Sequence, residues 1–199
     1  MPMNKGKNFN RPKKGSKIRV EPIKKLEDIE LIKKMLMAKP LDYALFVVGI
    51  NTNLRASDLL RIKHNQVANI KPGHELEVRE KKTQKLRRFN LNSACVNAIN
   101  RLITSKPYRN NDDLFKGQRG TITVPALNLK VKSWCKAIGL KGNYGSHSLR
   151  KSWAYHQRIT YKVDLFTLMV CLNHSSQEQT LTYICVQPEE IRAVYENEL

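Results

Sequence analysis

The 199-residue chain carries 36 Lys and Arg against 17 Asp and Glu, a formal net charge of +19. Its length allows one sizeable core but not two full domains, and an apolar content of 41% excludes a wholly disordered chain. The positive charge favours a polyanionic partner such as nucleic acid, and without an apolar run of about 18 residues we expect no membrane span. The N-terminus has no apolar stretch like a signal peptide, so we expect a cytoplasmic protein, and its positive charge favours association with the nucleoid.

The first predicted element is a flexible basic arm, residues 1–22. Its first 19 residues hold seven positive charges and no acidic residue, a composition that cannot form a core. Lys13 and Lys14 are its candidate DNA contacts, although a solvated tail that only aids solubility is the alternative. The other 29 basic and 17 acidic residues still leave +12, so the folded part is expected to be basic too.

Helical patterns follow along most of the chain. The nearly all-apolar run Leu41–Ile50 is too long for a typical strand and predicts a buried helix that ends at the turn-prone Asn51 to Asn53. Pro188 can open a last helix at its first turn. The predicted helices are Ile23–Ala38, Leu41–Ile50, a short helix capped by Ser57 and Asp58, Ser93–Thr104, Val124–Ala137, Ser148–Ile159, Val163–Leu172, Gln177–Tyr183 and a final helix from Pro188 through Tyr195.

Between Glu75 and Leu91 the apolar period changes to two, which predicts a β-hairpin with a basic tip. The fold is therefore predicted to be mostly α with a small antiparallel β-sheet. A basic hairpin can also hold phosphates. Its candidate DNA contacts are Lys81, Lys85, Arg87 and Arg88.

The cysteines give no sign of a metal site. They stand far apart, without the paired spacing of a zinc site or the density of a disulfide scaffold. We expect reduced thiols and no metal. The four positions are Cys95, Cys135, Cys171 and Cys185.

A set of polar residues spread over the chain suits the breaking of a phosphodiester. Two guanidinium groups can clamp both non-bridging phosphate oxygens, imidazoles can donate hydrogen bonds or move protons, and a lysine on a hairpin can protonate the leaving oxygen. A tyrosine can attack phosphorus and form a covalent intermediate. The candidate catalytic residues are Arg55, Lys82, His147, Arg150, His174 and Tyr183.

The segments around these residues resemble the active-site boxes of the tyrosine recombinases, the phage integrase family. The segment from Ser146 to Arg150 is similar to the family's H-x-L-R box. Leu172 to Ser176, followed by Thr180 and Tyr183, is similar to the box that ends in the nucleophile. Two further matches are Asn53 to Leu60, similar to the first arginine box G-x-R-x-x-E-L, and Lys81 to Lys85, similar to K-T-G-K.

The resemblance implies a tyrosine recombinase catalytic domain over residues 23–187 and a C-terminal helix over 188–199, docked on a neighbouring protomer or packed in cis. It further implies a site-specific recombinase that cleaves and rejoins double-stranded DNA through a 3′-phosphotyrosyl intermediate, without metal, ATP or another cofactor. A homotetramer on DNA is expected, with a monomer or dimer when free.

Three features depart from the family pattern. Asn53 and Asn173 stand where Gly is usual, but Asn best tolerates a left-handed backbone after Gly. Asp58 replaces a Glu and is expected to buttress the site. Family members usually have a separate core-binding domain before the catalytic domain, whereas only the basic arm and one helix are expected here, so an accessory protein is a further expected partner.

Alternatives remain open from the sequence. Tyr195 is the rival nucleophile, Lys81 and Lys85 are rivals of Lys82, and the other histidines are interpreted as structural. A type IB topoisomerase-like relaxing enzyme, a non-catalytic DNA-binding accessory protein and an RNA-binding protein are the other functions considered. The target sequence and the type of recombination, whether integration, excision, inversion or resolution, cannot be derived from one chain.

Overall fold

The computed structural model describes residues 20–82, 84–118 and 120–184, with 192, 195, 196 and 198. Helices dominate this part of the chain, and the prediction of a mostly α fold with a small antiparallel sheet is confirmed. The helices are α1 (Leu26–Leu36), α2 (Pro40–Asn51), α3 (Ala56–Leu59), α4 (Ser93–Thr104), α5 (Val124–Ala137), α6 (Ser146–Ile159), α7 (Leu165–Leu172) and α8 (Gln177–Ile184). The strands are β1 (Glu75–Arg79), β2 (Leu86–Asn90), β3 (Lys116–Gly117) and β4 (Gly120–Thr121).

Helix α2 forms the centre of the core. Every residue from Ala44 to Ile50 is buried, as the apolar run predicts for a helix covered on all sides. It packs against α1, α4 and α6, and Phe46 meets Trp134 of α5 edge to face at 5.9 Å between ring centroids. The candidate catalytic residues therefore lie on elements that are packed into this core.

Helices α2 and α6 approach closely at Gly49. A Cβ atom at this position would lie 2.6 Å from Leu149 Cδ1, closer than packed carbon atoms tolerate. Gly49 thus permits the contact that brings the turn after α2 beside the first turn of α6. This contact places the first arginine box next to the H-x-L-R box.

The sequence pattern predicts that the first helix begins at Ile23, but in the structure it begins at Leu26. Ile23 is fully buried in an extended segment that lies against α6. Its N–H donates to Ser152 Oγ at 2.7 Å, and its carbonyl accepts from His156 Nε2 at 2.9 Å. Two side chains one turn apart on α6 thus replace the helical hydrogen bonds of Ile23, and His156 has the structural role expected of it.

Other helix boundaries also differ from the prediction. Helix α3 begins at Ala56 with Arg55 as its N-cap residue, so Ser57 and Asp58 lie inside the helix and do not cap it. Helix α7 begins at Leu165, because Asp164 Oδ1 accepts the N–H of Thr167 at 2.9 Å. Helix α6 begins two residues before the predicted Ser148.

The predicted hairpin is present as the antiparallel pair β1 and β2. Its register places Val78 opposite Arg87 and Glu77 opposite Arg88. A second hairpin, β3 with β4, has strands of only two residues, too short for an alternating pattern to reveal. Both hairpins are antiparallel.

Several predictions fall outside the described residues. They concern Lys13 and Lys14 in the arm, Thr83 at the hairpin tip, Cys185 and the start of the C-terminal helix at Pro188. The division into arm, catalytic domain and C-terminal helix stays a prediction, although Glu21 N donates to Asn143 O at 2.8 Å. Within the described ranges, no helix is both long and apolar enough to cross a bilayer.

Candidate active site

Arg150 lies at the centre of the site and is 3% exposed. Its Nη1 donates to the carbonyl of Asn53 at 2.8 Å and its Nη2 to the carbonyl of Leu172 at 2.7 Å. One guanidinium therefore connects the turn after α2, helix α6 and the end of α7. Burial lowers the pKa of Arg150, with the nearby cations Arg87 and Arg55 acting in the same direction.

Turns with a left-handed residue place the carbonyls of Asn53 and Leu172 beside Arg150. Asn53 and Asn173 both have φ of 54°, the conformation predicted from their place in the boxes. Asn53 also donates from Nδ2 to the carbonyl of Cys171 at 2.9 Å, and the N–H of His174 bonds back to Met169 O at 3.0 Å. The turns close their helices and direct backbone oxygens at Arg150.

Arg55 enters the site from the N-cap position of α3. Its Nη1 lies 2.6 Å from Glu80 Oε2 and 4.0 Å from Asp58 Oδ2, and 19% of its side chain is exposed. Asp58 is fully buried, and its Oδ1 accepts the N–H of Lys81 at 2.9 Å. Asp58 therefore fastens the hairpin to α3, the buttressing contact expected of it.

The hairpin tip presents an exposed run of lysines beside Arg55. Lys81, Lys82 and Lys85 are all exposed in the turn between β1 and β2. The two arginines of β2 differ. Arg87 points inward to Glu80 Oε1 at 3.3 Å and to the carbonyl of Cys171 at 2.8 Å, whereas Arg88 is mostly exposed beside Glu77.

Tyr183 on α8 faces His174 and two cations. The His174 ring lies 5.0 Å from the Tyr183 ring in an edge-to-face arrangement, and its Nδ1 is 3.1 Å from Thr180 Oγ1. The Arg150 guanidinium carbon lies 6.0 Å and Lys151 Nζ 5.4 Å from the Tyr183 ring centroid. A phenolate at Tyr183 would be stabilised by these positive charges.

The sequence matches the model of the phage integrase family over residues 28–190. The chain belongs to the phage integrase family. The family is that of the tyrosine recombinases, enzymes that cleave and rejoin DNA, so the predicted class of enzyme is confirmed.

Relatives of this integrase-family chain include two curated proteins. The probable integrase/recombinase YoeC of Bacillus subtilis is 34% identical over 179 residues, which cover 88% of this chain and 95% of YoeC. The tyrosine recombinase XerC of Caldanaerobacter subterraneus is 32% identical over 167 residues, 81% of this chain but only 46% of XerC. The chain therefore spans about half of the longer relative.

Solved structures share the fold at lower identity. XerA recombinase superposes with a TM-score of 0.71 at 19% identity, covering 98% of this chain and 68% of that one. XerH recombinase in a post-cleavage complex with palindromic difH DNA gives a TM-score of 0.72 at 22% identity, covering 92% of this chain and 55% of XerH.

The integrase fold brings most of the sequence-predicted site residues together. Arg55, Arg150, His174 and Tyr183 are joined by the contacts above. His147 lies on the first turn of α6 with its side chain exposed, and Lys82 lies on the hairpin tip. Their catalytic roles, and the DNA contacts of the hairpin, stay predictions.

Two residues of this integrase-family site were missed by sequence reasoning. Lys151 is buried and lines a cleft of about 400 Å³ with Tyr183. Glu80 is 2% exposed and contacts Arg55. A signal for Glu80 existed, because it continues the alternation of Leu76 and Val78 and so belongs to the buried face of the hairpin.

In the described part of the chain, no cluster of three or more His, Cys, Asp or Glu side chains could hold a metal ion. Cys95 and Cys135 are buried free thiols, and burial raises the pKa of both to about 12. Cys171 is a free thiol at the surface. A metal-free reaction stays a prediction.

Histidine protonation should make the stability of the integrase fold depend on pH. Burial, reinforced by Arg150 and Arg55, lowers the pKa of His174 to about 4, and burial also lowers the pKa of His156. The unfolded chain therefore binds protons more readily, so stability should fall as the pH drops from the ordinary histidine value of about 6.5 to about 4.

Thermal unfolding across this pH range checks the expectation, and His174→Gln should reduce the slope. Hydrogen bonds with Lys116 and Thr167 lower the pKa values of Asp112 and Asp164, so these groups also reduce stability as the pH approaches the ordinary Asp value of 3.8. The difference between wild type and His174→Gln separates the histidine effect from theirs. A midpoint that stays constant until the pH falls below 4 would contradict the assignment.

Proposed function

We propose that this chain is a site-specific DNA recombinase that cleaves and rejoins duplex DNA through a 3′-phosphotyrosyl intermediate at Tyr183, without metal or ATP. The observation that carries the proposal is the arrangement of Arg150. A buried guanidinium held by backbone carbonyls from two other boxes lies 6.0 Å from the Tyr183 ring. Such a group is positioned before the substrate arrives and costs little reorganisation during reaction.

In the proposed cleavage step, Tyr183 Oη attacks the phosphorus atom. The bond from phosphorus to the tyrosine oxygen forms as the bond to the 5′ oxygen breaks, and the phosphate stays on the 3′ end of the DNA. Arg55 and Arg150 bind the two non-bridging oxygens, where negative charge increases. Rejoining reverses these bond changes when a 5′ hydroxyl attacks the phosphotyrosine.

Proton transfers in this step are assigned to the lysine and the histidines. Lys82 on the hairpin protonates the departing 5′ oxygen. His174, whose lowered pKa keeps its imidazole neutral at pH 7, hydrogen-bonds to a phosphate oxygen or accepts the phenol proton. His147 supports the phosphate from the first turn of α6.

Duplex DNA is the proposed partner. The charge of +19 supports it, as do the exposed lysines around the site, and XerH is a structural neighbour solved with its DNA substrate. Lys81, Lys85 and Arg88 are proposed phosphate contacts at the hairpin, and Lys13 and Lys14 in the arm. We propose a homotetramer on DNA, to which the segment 188–199 and an accessory protein contribute.

A covalent-trapping assay tests the proposal. The protein is incubated in EDTA with a pool of nicked duplexes whose sequence is randomised around the nick, and SDS-resistant adducts are isolated. We expect an adduct joined to a DNA 3′ end, and sequencing of the trapped DNA then gives the target. An adduct that forms only with added metal, or on a 5′ end, would refute the mechanism.

A further inference from the structure

Glu80 is a buried carboxylate at the point where β1 enters the basic turn. It is 2% exposed, and its backbone is fixed, because its N–H donates to Lys85 O at 3.0 Å and its carbonyl accepts from Gln84 N at 2.9 Å. Removing a carboxylate from water is costly unless cations compensate it. The position therefore requires a specific set of partners.

Each carboxylate oxygen of Glu80 contacts a different arginine. Oε2 lies 2.6 Å from Arg55 Nη1, and Oε1 lies 3.3 Å from Arg87 Nη1. Arg87 in turn donates from Nη2 to the carbonyl of Cys171 at 2.8 Å. A continuous chain of polar contacts thus runs from the first arginine box through the hairpin to the end of α7.

Three guanidinium groups come together at this site, and their mutual repulsion opposes the arrangement. Arg55 and Arg87 both act to lower the pKa of Arg150, whereas Glu80 acts to raise it. The negative charge of Glu80 therefore offsets the repulsion before any phosphate is bound. Asp58 contributes less to holding Arg55, because it lies 4.0 Å away and already accepts from Lys81 N.

We propose that Glu80 is the positioning residue for Arg55, and that Arg87 neutralises Glu80 and ties the hairpin to α7 instead of contacting DNA. The inference rests on the proposed function of Arg55 as a phosphate clamp. An arginine held in place by Glu80 has lost its rotamer freedom before the substrate arrives, so less ordering is needed in the transition state. The same contacts hold the hairpin that carries Lys82 beside Arg55.

The first test is the isosteric variant Glu80→Gln, measured as the single-turnover rate of covalent adduct formation. We expect the rate to fall about 100-fold, the effect of a misplaced catalytic group, while DNA affinity is retained. The matched control is Glu30→Gln on α1, which removes an exposed pair with Lys33 of the same 2.6 Å length. The control should react at the wild-type rate, and an equal rate in Glu80→Gln would overturn the inference.

A double-mutant cycle separates positioning from a general structural role. If Glu80 acts through Arg55, Glu80→Gln should have little further effect on the slow reaction of Arg55→Ala. An equal loss in both backgrounds would overturn the inference, because it would show that Glu80 supports the fold and not Arg55. Circular dichroism establishes that each variant is folded.

A conservative variant keeps the test decisive if Glu80→Gln does not fold. Glu80→Asp retains the charge but shortens the side chain, so it cannot reach both arginines. We expect a slower reaction that again depends on Arg55, and a wild-type rate would overturn the inference. If the wild-type protein itself gives no adduct, the proposed function fails. If the wild type gives an adduct and the Glu80 variants form it at the same rate, only this inference is rejected.

Discussion

Tyr183→Phe should give no covalent adduct with DNA while binding DNA as tightly as the wild type. The change deletes only the hydroxyl group, so the ring keeps its packing on His174 at 5.0 Å and its place beside Lys151. Affinity depends mainly on lysine and arginine contacts to phosphates, which the variant retains. The loss should therefore be confined to the chemical step.

The measurement combines the trapping assay with a DNA-binding titration at fixed salt concentration. Tyr195→Phe is the matched control, because Tyr195 is the rival nucleophile and its side chain is 87% exposed. We expect the control to form the adduct at the wild-type rate. An adduct that persists in Tyr183→Phe and disappears in Tyr195→Phe would move the nucleophile to Tyr195.

Arg150→Ala should slow cleavage about 10³-fold, which corresponds to about 4 kcal/mol of lost transition-state stabilisation. The variant removes a clamp on the phosphate oxygens and also leaves the carbonyls of Asn53 and Leu172 without their 2.8 and 2.7 Å partners. Losing these buried hydrogen bonds should lower the free energy of unfolding by about 1–3 kcal/mol. The defect should thus appear in both the reaction rate and stability.

Single-turnover kinetics and thermal unfolding measure the two effects separately. Arg150→Lys should recover part of the rate but not all, because an ammonium cannot reproduce the planar fork of donors. Arg158→Ala is the matched control on the same helix, since Arg158 also donates to a carbonyl, that of Val163 at 3.3 Å. Near-wild-type cleavage by Arg150→Ala would remove this arginine from the mechanism.

The hairpin shows which structural features the local sequence pattern predicts and which it does not. Alternation predicts the two strands, but the register decides which arginine points inward. Because Val78 faces the core and lies opposite Arg87, Arg87 shares the buried face, whereas Arg88 pairs with the exposed Glu77. Sequence alone presents both arginines as equivalent basic residues and therefore as equal candidates for DNA contact.

The start of the fold illustrates a second limit. Apolar spacing extends the first helix back to Ile23, but the structure holds this residue in an extended segment by hydrogen bonds to Ser152 and His156. These partners lie more than a hundred residues away. The apolar periodicity depends only on residues close together in the chain, so it cannot reveal these distant partners.

The sequence by itself determined the class of fold, the family and the identity of the candidate catalytic side chains, because these depend on local periodicity and on short boxes such as Ser146 to Arg150. Only the tertiary structure shows which groups contact these catalytic side chains. Glu80, Lys151 and the carbonyls that hold Arg150 act through contacts between segments far apart in the chain. Such contacts depend on helix packing at Gly49 and on strand register, and local residue preference does not specify either.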